Sequence, residues 1–183
     1  GDGSLVYSGS DDRSIREWDV TSGVCLRTLL GHADVVNSVC VSADGKYLYS
    51  GSQDTTVGVW NLKEGSLMRQ MEGHTNNVWS VCESPDGLIV SGSFDTAVKK
   101  WNASTGECVG TLEGHSGVVI SVDATGSIIC SGGRDGTIRV WDGTAKPQKA
   151  DVGHSNNVRW VQFSQEGDKL LSYSADPHAP WMG

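Results

Sequence analysis

The sequence lacks any stretch approaching the roughly 18 apolar residues of a membrane-spanning helix. It also lacks a segment of useful length whose apolar residues recur at the helical period, which argues against a fold built on helices. Basic residues are few: 14 Lys and Arg stand against 22 Asp and Glu, for a net charge of −8 and a pI near 4.9. That balance argues against a nucleic-acid backbone or an anionic membrane as the main partner, while leaving room for a local basic patch. The five cysteines, Cys25, Cys40, Cys82, Cys108 and Cys130, are odd in number and include no CxxC pair. A fully paired disulfide framework is excluded. Thiols inside apolar runs such as Ile128-Ile129-Cys130 read as buried and reduced, in a cytoplasmic or nuclear, hence intracellular, protein. No secretory leader is visible, and the chain starts at Gly1 without methionine, so a removed N-terminus stays open.

Glycine, by contrast, is abundant. Its 24 residues are nearly twice the usual share of roughly 7% and fit a protein with many tight turns. The 183 residues, 37% apolar and 20% charged, fit one soluble globular domain.

Internal repetition decides the fold class. Gly-His pairs end at His32, His74, His115 and His154, and Trp is followed by Asp or Asn at Trp18, Trp60, Trp101 and Trp141. Both markers step by about 40 residues. Over 31–72, strands are expected at Val35–Val41, Tyr47–Ser52, Thr56–Trp60 and Ser66–Met71, with turns at Ala43-Asp44-Gly45, Gln53-Asp54-Thr55 and Lys63-Glu64-Gly65. Four short strands per period make one blade of a propeller.

The combined Gly-His, Asp and Trp-Asp spacing resembles the WD-repeat family over essentially the whole chain. The resemblance implies an all-β propeller, a partial ring of about 4.5 four-stranded blades. Blades are expected at 1–30, which lacks its innermost strand, 31–72, 73–113, 114–152 and 153–183, the last degenerate. It also implies a hydrogen-bonded tetrad in each blade: His32, Ser50, Asp54 and Trp60; His74, Ser91, Asp95 and Trp101; His115, Ser131, Asp135 and Trp141; and, without its His, Ser8, Asp12 and Trp18. Four buried polar groups would thereby satisfy one another. The fifth repeat has His154, Ser172 and Asp176, but Met182 stands where Trp is due, and Pro177 and Pro180 disturb the third strand.

A short arc leaves apolar faces at both ends. The favoured expectation is part of a longer propeller, followed by an arc completed by another chain. Last comes a ring that closes alone, with Val158–Gln162 and His154 completing the blade of Ser8, Asp12 and Trp18. Further blades in cis or in trans are therefore expected.

Catalysis, metal binding and cofactors are not expected. The histidines are one blade apart with no second ligand beside them. The Ser, His and Asp of each tetrad recur in every blade, which a nucleophile has no need to do. Ser131-Gly132-Gly133-Arg134-Asp135-Gly136 precedes a strand, so it is not a phosphate loop. The sequon Asn102-Ala103-Ser104 reads as accidental.

The family resemblance implies that partners, other proteins or peptides, are held on the face carrying the turn before strand a and the turn after strand b. Its exposed positions here are Val35, Asn37, Gln53, Asn77, Trp79, Phe94, Val118, Ile120, Arg134, Asn157, Arg159, Ala175 and Asp11. Trp79, Phe94, Ile120 and Arg134 make the candidate hot spot, flanked by Asn77, Val118 and Arg159. The competing reading packs Trp79 between blades. The expected function is a non-catalytic scaffold in a larger complex. The alternatives are a substrate or phosphopeptide-recognition arm of a ubiquitin ligase and, from another class, a propeller enzyme.

Overall fold

The structure, a computed structural model, describes residues 4–142, 149–151 and 154–174. Every regular element among them is a β-strand. The first sheet holds β1 (Leu5–Gly9), β2 (Ile15–Asp19) and β3 (Cys25–Leu29). The second holds β4 (Val36–Val41), β5 (Tyr47–Ser52), β6 (Val57–Asn61) and β7 (Ser66–Met71). The third holds β8 (Val78–Glu83), β9 (Leu88–Ser93), β10 (Val98–Asn102) and β11 (Cys108–Leu112). The fourth holds β12 (Val119–Thr125), β13 (Ile128–Gly133), β14 (Ile138–Trp141) and β15 (Lys149–Asp151), and the fifth β16 (Val158–Phe163) and β17 (Leu170–Ser174). Each sheet is an antiparallel meander in chain order. In the second sheet the observed strands start one residue later than expected at β4 and β6.

The turn after the second strand of a sheet has one repeated design. The residue after its Asp takes the left-handed conformation: Arg13, Thr55 and Thr96 at φ near 70°, and Gly136 at 76°. A β-branched Thr is strained there. The Asp carboxylate offsets the strain by accepting the backbone N–H two residues on, at 3.0 Å from Thr56 to Asp54, from Ala97 to Asp95 and from Thr137 to Asp135.

No sheet buries its own faces; the cores lie between sheets. One joins Ile15 and Leu29 to Val36, Leu48 and Trp60. The next joins Tyr49, Val57 and Val59 to Val78, Val81, Ile89 and Trp101. Cys82, Val90 and Val98 meet Val119, Val122 and Trp141, and Cys130 and Ile138 meet Val158 and Val161. Three of the four seams follow one rule, while at the first Gly9 meets Val36 alone. Two valines of an innermost strand press on a glycine of the preceding sheet, Val78 and Val81 on Gly51, Val119 and Val122 on Gly92, Val158 and Val161 on Gly132. A serine hydroxyl then accepts the N–H of the second valine, Ser38 from Val81 at 3.2 Å, Ser80 from Val122 and Ser121 from Val161 at 3.1 Å.

The five sheets form an open arc in which β4, β8, β12 and β16 adjoin in order. The reading in which the chain closes alone is corrected. β16 pairs with β17 and His154 Nε2 lies 2.9 Å from Ser172 Oγ, so both serve the fifth sheet and not the first. Docking Val158 and Val161 on Gly132 holds them there. Asp176, Pro177, Pro180 and Met182 lie outside the described residues.

Candidate protein-interaction face

Three complete tetrads form as relays. Trp60 Nε1 donates to Ser50 Oγ (2.8 Å), Ser50 Oγ lies 2.6 Å from His32 Nε2, and His32 Nδ1 lies 2.7 Å from Asp54 Oδ2. In the third sheet Trp101 reaches Ser91 (2.8 Å), Ser91 reaches His74 (2.8 Å) and His74 reaches Asp95 (2.7 Å). In the fourth, Trp141, Ser131, His115 and Asp135 are linked at 3.0, 2.8 and 2.9 Å. A neutral imidazole satisfies all of these bonds, with Nδ1–H donating to the carboxylate and Nε2 accepting the serine O–H. The first sheet keeps only the Trp18 to Ser8 bond (2.9 Å); its Asp12 turns instead to Ser14 and Arg16.

Burial alone would push the Asp95 carboxyl up. The hydrogen bonds from His74 and from the N–H groups of Thr75 and Ala97 outweigh burial and bring the pKa down to about 2. Asp135 also stands at about 2: burial opposes, while both groups of Thr137 and the His115 bond prevail. Burial pushes the His115 imidazole below its ordinary value, against the pull of Asp135. The Ser, His and Asp are ordered as in a nucleophilic triad, yet Ser50, Ser91 and Ser131 are 0% exposed and each already accepts an indole N–H. No substrate carbonyl can reach them, so the relays act as internal struts.

The struts hold up a rim. A bulge at the start of each innermost strand inserts one unpaired residue: Asn37 between Val36 and Ser38, Trp79 between Val78 and Ser80, Ile120 between Val119 and Ser121, and Arg159 between Val158 and Trp160. A bulge re-aims the extra side chain. The loop before that strand is bonded to the turn beside it, since Gln53, Phe94 and Arg134 donate backbone N–H groups to the carbonyls of Val35, Asn77 and Val118, each at 2.8 Å.

Across the third and fourth sheets these devices bring three candidate residues together. The Arg134 guanidinium carbon lies 5.8 Å from the Phe94 ring centroid and 6.0 Å from that of Trp79. Phe94 (39%) and Arg134 are exposed, Trp79 and Ile120 half-buried. Both sequence readings of Trp79 meet in one side chain, for its Nε1 is buried and lacks an acceptor among the described residues. Val118 requires a correction. Its side chain is buried at 7%, because it packs under the loop, and only its carbonyl serves the rim. Asn77 and Val35 are half-buried and likewise serve through carbonyls. Asn37 is committed to the neighbouring sheet through Val78 O (2.9 Å), and Gln53 leans on it. Arg159 and Asp11 are exposed, Asn157 is half-buried, and Ala175 lies outside the described residues.

Sequence reasoning missed the bulge. Its signal is the three-residue spacing of Val36 and Val39, Val78 and Val81, Val119 and Val122, where a regular strand would space them by two.

The sequence pattern of the family described as WD domain, G-beta repeat, matches residues 1–19, 23–61, 65–102 and 106–142. The chain belongs to the WD-repeat family. The span 23–61 takes in β3 to β6, so a matched unit carries the outermost strand of one sheet and three strands of the next. Similar proteins include "Nuclear distribution protein PAC1" of Gibberella zeae, 36% identical over 174 residues. Others are the PAC1 protein of Coccidioides posadasii (31% over 174 residues) and "Nuclear distribution protein nudF 1" of Talaromyces marneffei (35% over 173 residues). These alignments cover 95, 95 and 94% of this chain, which spans only about one third of the relatives' length: 34, 33 and 35%. Among the described residues no helix is long and apolar enough to cross a membrane.

Proposed function

We propose that this chain is a non-catalytic scaffold that holds another protein against the rim formed by Trp79, Phe94 and Arg134, within a larger complex. The observation that carries this reading is the Arg134 guanidinium set against two aromatic rings at an exposed junction of two sheets. Aromatic and Arg side chains so placed are the usual anchors of a protein interface. Ile120 and Arg159 extend the surface onto the next bulges. The relatives' names speak of nuclear distribution; our reading adds a place inside the cell, cytoplasmic or nuclear, and a ring completed by further blades in cis or in trans.

The ubiquitin-ligase alternative has no support among the relatives, and the rim has only Arg134 and Arg159 as candidate phosphate ligands. The enzyme alternative is disfavoured by the burial of every tetrad serine that is hydrogen-bonded to both His and Trp. The test replaces Phe94 and Arg134 together by Ala in the full-length protein. Partner proteins that copurify with the wild type should be lost and nuclear distribution disturbed, with thermal unfolding unchanged. Retention of all partners would refute the rim as the binding face.

A further inference from the structure

Three of the seven arginines are anchored to acceptors; Arg13, Arg139 and Arg159, like Arg134, have no carboxylate or carbonyl partner among the described residues. Arg16 pairs with Asp12, Arg27 with Glu17, and Arg69 donates to the carbonyls of Ser104 and Thr105. Arg134 has no carboxylate or carbonyl partner among the described residues, although the chain carries 22 acidic side chains. It is exposed and set against the two rings, which restrict its rotamers. Beside it lies Trp79. The indoles of Trp18, Trp60, Trp101 and Trp141 all donate to serine, but Trp79 Nε1 is buried and has no acceptor among the described residues. A cation without an anion therefore stands at an exposed junction, beside an indole whose donor is buried.

We propose that the rim takes an acidic peptide segment, with an Asp or Glu carboxylate against Arg134. This rests on the reading of the rim as the partner face and specifies what it selects. A planar guanidinium accepts a carboxylate through two parallel N–H bonds, and one held by aromatic rings loses less freedom on doing so. Phe94 and Ile120 offer apolar contact to the residues flanking the acid. A single cation matches a carboxylate of one charge; a phosphate dianion calls for a second cation at the same point.

The experiment selects binders from a randomised peptide library on the full-length protein. A selected peptide is then remade with its acidic residue as Gln and as phosphoserine. Enrichment of Asp or Glu is expected, and Glu→Gln in the peptide should weaken binding by about tenfold or more. Arg134→Ala in the protein should weaken it similarly, and the two changes together should cost little more than either alone. Arg134→Lys should keep part of the affinity. If the peptides depend on Phe94 but are indifferent to Glu→Gln, acid selection is overturned while the rim stands. If they depend on neither Phe94 nor Arg134, the rim itself is refuted. Tighter binding of the phosphoserine peptide by about tenfold or more overturns the carboxylate in favour of a phosphate. Unchanged thermal unfolding of the exposed Arg134 and Phe94 variants keeps each result interpretable.

Discussion

Asp95 holds three donors at once: the His74 imidazole, the Thr75 N–H and the Ala97 N–H. Replacing it by Ala strands them in a partly buried turn, and a stability loss of about 1–3 kcal/mol is expected, read as a lower midpoint in urea. A loss within error would show that the struts carry no stability. The same carboxylates set a pH dependence. Asp95 and Asp135 titrate at about 2 in the folded chain, below the ordinary 3.8, so they stabilise above 3.8 and that contribution is lost as the pH falls toward 2. His115 is depressed below 6.5, so the unfolded chain binds its proton more readily. Its contribution is complete above 6.5 and declines as the pH falls below that value. Stability should therefore fall on acidification from neutral pH, first weakly through His115 and then steeply below pH 3.8. Rising stability over that range would contradict the assignment. The tetrad positions were legible because four residue types recur at fixed offsets. The left-handed Thr55 and Thr96 were not, since Thr carries no sign of that conformation and only the Asp bond of the folded turn sustains it.

At the scale of elements, the sheets are joined by valines packed on glycines. A Cβ at Gly92 would lie 2.6 Å from Val119 Cγ1, a stiff branched group that cannot swing away. Gly92→Ala is therefore expected to cost about 1–3 kcal/mol by overpacking. Val119→Ala should partly relieve it, seen as a favourable coupling in a double-mutant cycle of denaturant midpoints. Strict additivity would show that the seam gives way elsewhere. The strand pattern of these sheets was readable from alternation and turn residues. The bulge was not, because a strand read with period two places Trp79 on one of its faces, whereas the register shift between Val78 and Ser80 lifts it out of the ladder toward the rim. Trp79→Ala consequently does two things, costing stability through lost packing as well as weakening the partner. Trp79, expected either as an exposed position or as packed between blades, is half-buried. Phe94→Ala should weaken binding without the stability loss, as thermal unfolding of the two variants side by side will show.

The whole molecule is an arc whose last described face departs from the seam rule. Where β4, β8 and β12 carry Ser38, Ser80 and Ser121, β16 carries Trp160, and where β5, β9 and β13 carry Gly51, Gly92 and Gly132, β17 carries Tyr173. Trp160 is 42% exposed, Tyr173 58% and Leu171 52%. Such an apolar face favours association. The 183-residue chain expressed alone is expected to self-associate in light scattering, and Trp160→Ser with Tyr173→Gly should reduce it. A stable, cooperatively unfolding monomer of 19.4 kDa would overturn this. Here the two levels of information separate. Local spacing determined the all-β class and, through the family it resembles, implied the tetrads and the candidate rim, because each depends on residue types at short, repeated intervals. Tertiary structure decided the open arc, the buried Val118, the buried Trp79 indole nitrogen and the placing of Arg134 against Phe94 and Trp79. Each of these depends on how one sheet meets the next, across about 40 residues of chain, and no local pattern encodes that contact.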